Sequence, residues 1–189
     1  MTTNSEAASN TGRGGIEERL GELGYTLGKP PKPLGNYIRC VVSGGLAFTA
    51  GHGPFGATGE IGATGQVGGE LSLEEGREAA RLAVVACLAS LKAELGSLEN
   101  VDRIVKLLGF VNCAPGFSDT SAVMDGASDL LAEVFGARGV HARAAIGTTV
   151  LPRNIPVEIE LIASIRRIDQ EESTADHVTR TLELDGDAS

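Results

Sequence analysis

The sequence has no tryptophan, two tyrosines and five phenylalanines, so aromatic residues make up only 4% of its 189 positions. A core built from it must be filled mostly by Val, Leu, Ile and Ala. Cysteine is equally scarce. Cys40, Cys87 and Cys113 are odd in number and widely spaced, which fits free thiols rather than a disulfide framework or a metal site. His52, His141 and His177 fall at no metal-ligand spacing. No apolar run approaches the roughly 20 residues that a membrane span needs, and the opening stretch MTTNSEAASNTGRGG holds no apolar signal region. The expectation is a cytoplasmic protein with no membrane partner. Positive charge is short as well: 16 Lys and Arg stand against 25 Asp and Glu, a net charge of −9. Phosphate binding relies on clustered Lys and Arg, and there is no basic stripe, so no nucleic-acid partner is expected.

What is present is enough chain for one domain with a real core, and too little for two. Residues 1–14 are polar, and residues 168–189 are polar and acidic. Both read as disordered tails, which leaves 15–167 as the domain. Ile16, Leu20 and Leu23 at i, i+4 and i+7 predict a short helix over 16–25. Two β-rich runs, Tyr37–Val42 and Leu46–Ala50, flank Ser43-Gly44-Gly45, a hairpin signal. The glycine-rich run 55–70 carries GATG twice. It lacks the Lys-Ser/Thr ending of a phosphate loop and the Gly-x-Gly-x-x-Gly spacing, so it reads as a flexible surface loop. Ser72 and Glu75 form a capping box that opens a long helix with Val84, Leu88, Leu91 and Leu95 on one face. Residues 102–112 read as a strand and 113–117 as a turn. Ser118 or Asp119 then caps a second helix, with Val123, Ala127, Leu130, Leu131 and Val134 as its stripe.

Residues 141–165 read as two strands joined by a short loop, a hairpin whose loop is bracketed by Pro152 and Pro156. In the second strand Val157, Ile159, Leu161, Ala163 and Ile165 share one face, with Glu158 and Glu160 on the other. The order β-β, helix, β, helix, β-β suits an α+β layer, with two helices on one side of a mixed sheet.

Arg143 sits among Ala142, Ala144, Ala145 and Gly147. With nothing bulky beside it, there is room for a ligand against the guanidinium, whose planar fork holds a carboxylate through two charge-assisted hydrogen bonds. The residues alone also fit a structural salt bridge. Glu158, or a water it holds, could serve as a general base; Glu160 on the same face is its rival. His52 and His141 flank these positions and read as structural, and Cys113 is assigned no chemistry.

Several segments together resemble the RidA/YjgF family, also known as L-PSP endoribonuclease-like, over roughly residues 16–167. The most specific is Ala142-Arg143, then Leu151-Pro152, then Val157-Glu158-Ile159-Glu160. GNY…FTAGHGP, GQVGGELSLEEG and GASDLLAEVFG followed by GVHAR add to it and place the chain nearer the family's longer branch. The resemblance implies a chorismate-mutase-like α+β subunit, a homotrimeric barrel with sites between subunits, and no cofactor. It implies hydrolysis of enamines and imines such as 2-aminoacrylate to a 2-keto acid and ammonia. A trimeric protein that only binds a small carboxylate or a partner is the alternative, and ribonuclease action a third, which the net charge opposes. The family's carboxylate-binding Arg falls on Arg143 and its water-orienting Glu on Glu158, both read as catalytic. The substrate contacts fall on Tyr37, Gly51 and Ala50, with Ala145 added beside Arg143. Ala50 stands where the family has Ser or Thr, so the hydroxyl is missing, and Thr49 points to the other face. In a hairpin centred near 153–154, Arg143 and Glu158 lie six residues apart, roughly 20 Å. The two are therefore expected to meet across a subunit boundary.

Overall fold

The computed structural model describes residues 14–30 and 32–166. The expected tails, 1–14 and 168–189, lie outside the described residues except for Gly14, and His177 lies outside them too. The chain forms one five-stranded mixed sheet with its helices on one face. Strand β1 (Cys40–Ser43) and strand β2 (Leu46–Thr49) are joined by Gly44 and Gly45 at φ 58° and 78°. A two-residue turn with both φ positive matches the right-handed twist of the flanking strands. The long helix α2 (Leu73–Leu95) starts at the predicted capping box: Ser72 Oγ accepts from the Glu75 N–H, and the Glu75 carboxylate accepts from the Ser72 N–H. Its predicted stripe is buried, and a second row of Ala79, Ala80, Ala83 and Ala86 brings it close to its neighbours.

Strand β3 (Val101–Asn112), helix α3 (Thr120–Phe135) and strand β4 (Ala142–Thr148) make a β-α-β unit in which β4 runs parallel to β3. Strand β5 (Val157–Ile165) pairs antiparallel with both β2 and β3, so the sheet order is β1-β2-β5-β3-β4. Helix α1 (Ile16–Glu22) buries Ile16 and Leu20 beside α3. The expected helix over 16–25 is shorter, ending at Glu22, and Leu23 is exposed rather than part of the stripe. Three α-helices are therefore present among the described residues, with α2 and α3 forming the layer. Leu107, Leu161 and Ile159 point into that layer. The opposite face of the sheet carries Val41, Phe48 and Ile146, all well exposed.

One expectation is overturned. Residues 141–165 are not a hairpin, because β3 lies between β4 and β5. The crossover through α3 delivers β4 parallel to β3 on its free side, the short return that a β-α-β unit makes. The prolines bracket a loop that crosses the end of β3 instead of folding back. That crossing is fixed by Asn112, the last residue of β3 and fully buried. Its Nδ2 donates to Asn154 Oδ1 (3.1 Å) and to the Ile155 carbonyl (3.3 Å), and its Oδ1 accepts from Gln66 Nε2 (3.3 Å). Its backbone N–H donates to the Pro156 carbonyl, and its carbonyl accepts from the Val67 N–H, both at 2.8 Å.

The glycine-rich run is tied down by the same group. Val67 is fully buried, and Gln66 Nε2 also donates to the Thr149 carbonyl. The run therefore contributes to the core and cannot be read as surface loop alone. Boundaries move at the first strand as well: Tyr37 precedes β1 rather than starting it, and Ala50 follows β2.

Removing the Asn112 amide strands a buried donor and acceptor set. Asn112→Ala is expected to lower stability by about 2–3 kcal/mol, read as a shift of the urea midpoint without change in its slope.

Candidate functional site

A cleft of about 310 Å³ opens beside β5. Three segments wall it: the connector before β1 with Lys32, Tyr37 and Arg39; the turn after β2 with Ala50, Gly51 and His52; and the crossing loop with Pro152, Arg153 and Ile155. Glu158 reaches it from the uncovered face of β5. Four of the six residues expected at the site thus meet in one place: Tyr37, Ala50, Gly51 and Glu158.

Gly51 is there because the carboxylate lies on its backbone. A Cβ at this position would stand 2.1 Å from Glu158 Oε1. Ala50 uses its main chain, donating its N–H to the Arg39 carbonyl and accepting from His52 Nδ1 at 2.7 Å. Since a carbonyl accepts only, His52 carries its proton on Nδ1, and Nε2 accepts from the Ser90 hydroxyl at 2.7 Å. Burial lowers the His52 pKa below its ordinary value, which favours the neutral ring. The histidine is a buried strut. Thr49 does not replace the missing hydroxyl at position 50: it is buried, and its Oγ1 accepts from the Leu161 N–H at 2.9 Å. Glu158 is half-buried, and its carboxyl is raised above the usual range, first by desolvation and then by the charge of Glu160. A carboxylate raised in this way is a stronger base than one in water.

Arg143 lies elsewhere. It pairs with Leu107, which pairs with Leu161, so it points to the helix-covered face. The space left by its small neighbours is filled from α3. Its guanidinium donates to Asp125 Oδ1 (2.8 Å), Ser128 Oγ (3.0 Å) and Ser121 Oγ (2.7 Å). Ser128 in turn meets His141 Nε2 at 3.2 Å, and His141 Nδ1 donates to the Gly139 carbonyl. Ala145, two residues on, packs partly against the core instead of lining the cleft.

Glu158 is level with Phe110, three residues further along β3 than Leu107. The offset from Arg143 is therefore roughly 10 Å along the strands and roughly 10 Å across them, not the six residues that a hairpin register gives. More decisive, the two side chains leave opposite faces of the sheet. Within one subunit they cannot hold one small molecule.

Arg39, Arg153 and Ile155 in the cleft, and Ser121, Asp125 and Ser128 around Arg143, are not evident from sequence spacing. The crossing loop left one signal, Asn154, since Asn tolerates left-handed backbone. Arg153 and Asn154 both take it, at φ 58° and 56°. Two successive non-glycine residues there cost about 1–2 kcal/mol each. The bonds of Asn154 to Leu151, Gly65 and Asn112 hold the turn in place.

A family model described as YjgF/chorismate mutase-like, whose label proposes an endoribonuclease, matches residues 17–165. Protein TCP17 of Trypanosoma cruzi is 38% identical over 153 residues, covering 80% of this chain and 95% of that one. The crystal structure of Atu1372 from Agrobacterium tumefaciens, a protein of unknown function, is 42% identical over 80% of this chain and 94% of its own, with a TM-score of 0.75. A Shewanella oneidensis protein labelled as a candidate endoribonuclease is 33% identical, with a TM-score of 0.77 over 80% of this chain and 100% of its own.

Two variants check the site geometry. Gly51→Ala must push the Glu158 carboxylate aside. Because that carboxylate is the far end of a flexible side chain, stability should change by less than about 1 kcal/mol while the Glu158 titration, followed by NMR, moves. The surroundings of Glu158 disfavour its charge, so ionised Glu158 opposes folding above the ordinary carboxylate range. Glu158→Gln should therefore melt no lower than wild type at pH 7, with the two converging once pH falls below 4.5, the ordinary glutamate value.

Proposed function

The chain belongs to the YjgF/chorismate mutase-like family, and from that premise we propose that it hydrolyses small reactive imines and enamines of the 2-aminoacrylate kind to 2-keto acids and ammonia. The observation that carries the reading is the half-buried Glu158 carboxyl, raised in pKa and laid against Gly51 in a cleft rimmed by cations. An enamine first takes a proton on its terminal carbon and becomes the imine. Water then bonds through oxygen to the C=N carbon while Glu158 accepts its proton. Returned to nitrogen, that proton gives the carbinolamine; the hydroxyl proton then passes through Glu158 to the nitrogen, the C–N bond breaks, ammonia leaves, and the carbon is left as a ketone.

The carboxylate of the substrate falls to Arg143 of a neighbouring subunit. A guanidinium has five N–H donors and Arg143 has three partners on α3, so donors remain for a substrate, in a plane that Ser121 and Ser128 fix. Assembly is supported by two features: β4 and β1 are the sheet edges, and the uncovered face exposes Val41, Phe48 and Ile146. Exposed edges and apolar faces of this kind are usually covered by another copy or partner. A homotrimer fits them, without a cofactor in the chemistry.

A second reading, binding without turnover, is favoured by Ala50, whose methyl cannot supply the expected hydroxyl. The endoribonuclease label has less support, since a net charge of −9 opposes phosphate binding.

The assay is keto acid release from freshly generated imine. Loss of the base should lower kcat in Glu158→Gln by about 100-fold or more, and Arg143→Ala should raise KM by about tenfold or more. Rates equal to wild type in both variants would overturn the roles given to Glu158 and Arg143, and a wild-type rate no higher than that in buffer would reduce the protein to a binder. Because the base acts ionised, kcat/KM should rise with pH through an inflection above 4.5. Glu160→Gln removes the neighbouring charge that helps raise the carboxyl, so it should move that inflection to lower pH.

A further inference from the structure

Resting on that reading of the cleft, we propose that Arg153 recognises a second anionic group, so that the preferred substrates are imines of acidic amino acids, with a carboxylate at each end. Arg153 is exposed at the cleft, and among the described residues its guanidinium makes no hydrogen bond or ion pair. Arg39, the other arginine of the cleft, is already engaged within the chain. The backbone that presents Arg153 is held in left-handed geometry (φ 58°, ψ 19°) by a turn anchored on both sides. The Asn154 carbonyl accepts from the Gly65 N–H at 2.8 Å, its side chain accepts from buried Asn112, and its N–H donates to Leu151. Strained backbone persists where the surroundings over-determine it and concentrates at ligand clamps. Here it fixes the backbone from which the exposed Arg153 side chain extends at the cleft.

The cleft also has room to spare. About 310 Å³ falls in the range that takes ligands larger than a three-carbon acid. Its lining also includes Leu34, Phe55 and Ile155, a surface for the methylenes of a side chain. If Arg143 of a neighbour takes the carboxylate beside the imine, Arg153 is left for a carboxylate at the far end. Lys32 on the same rim adds to the positive potential.

The test separates this proposal from the hydrolase reading. Binding of 2-oxoglutarate, with two carboxylates, and of 2-oxobutanoate, with one, is measured by calorimetry for wild type, Arg153→Asn and Arg153→Lys. Asn removes the charge yet accepts left-handed backbone, so the loop keeps its shape. Wild type should bind 2-oxoglutarate about tenfold or more tightly than 2-oxobutanoate, Arg153→Asn should lose that preference, and Arg153→Lys should keep part of it. The same pattern is expected in kcat/KM for 2-iminoglutarate against 2-iminobutanoate, generated by amino-acid oxidases. A preference unchanged in Arg153→Asn, or equal losses on both ligands, overturns the role of Arg153 whatever the activity. Arg153-dependent binding together with full activity in Glu158→Gln would uphold it and overturn the hydrolysis mechanism instead.

Discussion

The buried side-chain amide of Asn112 is where β3, the glycine-rich run and the crossing loop are joined. Its donors go to the loop and its acceptor to Gln66. In a fully buried position these bonds replace water that is not there, and leaving them unmade would cost more than forming them gains. The loop is therefore held at one height over the end of β3. That height decides where β5 begins, which in turn places Glu158 beside Gly51 and Arg153 in the lining of the same cleft. The cleft is a consequence of how the chain gets past β3.

The same crossing separates the two charges that matter most. With β3 between β4 and β5, Arg143 and Glu158 belong to different faces of one sheet. Arg143 sits on the helix side, satisfied by Asp125 and two serines, and is cheap to maintain as a partly buried charge. Glu158 is half-buried, and its charge is disfavoured by desolvation and by the neighbouring Glu160. Arg143 is held by three partners on α3, whereas Glu158 stands in surroundings that disfavour its charge. That asymmetry suits the roles proposed for the two residues, since a base held by a strong ion pair would be a weaker one.

Much of the fold was legible because it rests on local rules. The Ser72–Glu75 capping box, the stripes of α2 and α3 and the alternation of β5 each follow from spacing within one element, and the structure agrees with them. The register of residues 141–165 was not legible, because a loop of eight residues can fold back or step over a neighbouring strand with the same prolines. Only the pairing of β4 with β3 decides, and that depends on α3. At the site, Glu158, Tyr37, Ala50 and Gly51 came from motif resemblance and converge in space. Arg153 was missed because nothing in the string LPRN distinguishes a solvated arginine from one held by a left-handed turn. Asp125 and the serines around Arg143 were missed because a helix face 15 to 22 residues away in sequence leaves no mark beside the arginine.

The central claim is that each site is shared, with Arg143 from one subunit and Glu158 from the next. Arg143→Ala and Glu158→Gln chains, each impaired alone when substrate is well below KM, can be mixed in equal amounts, unfolded and refolded together, and assayed for imine hydrolysis at that substrate concentration. A shared site predicts recovery to about a quarter of wild-type activity, since half the boundaries draw each partner from the chain that retains it. Activity that stays at the level of the separate variants would contradict it.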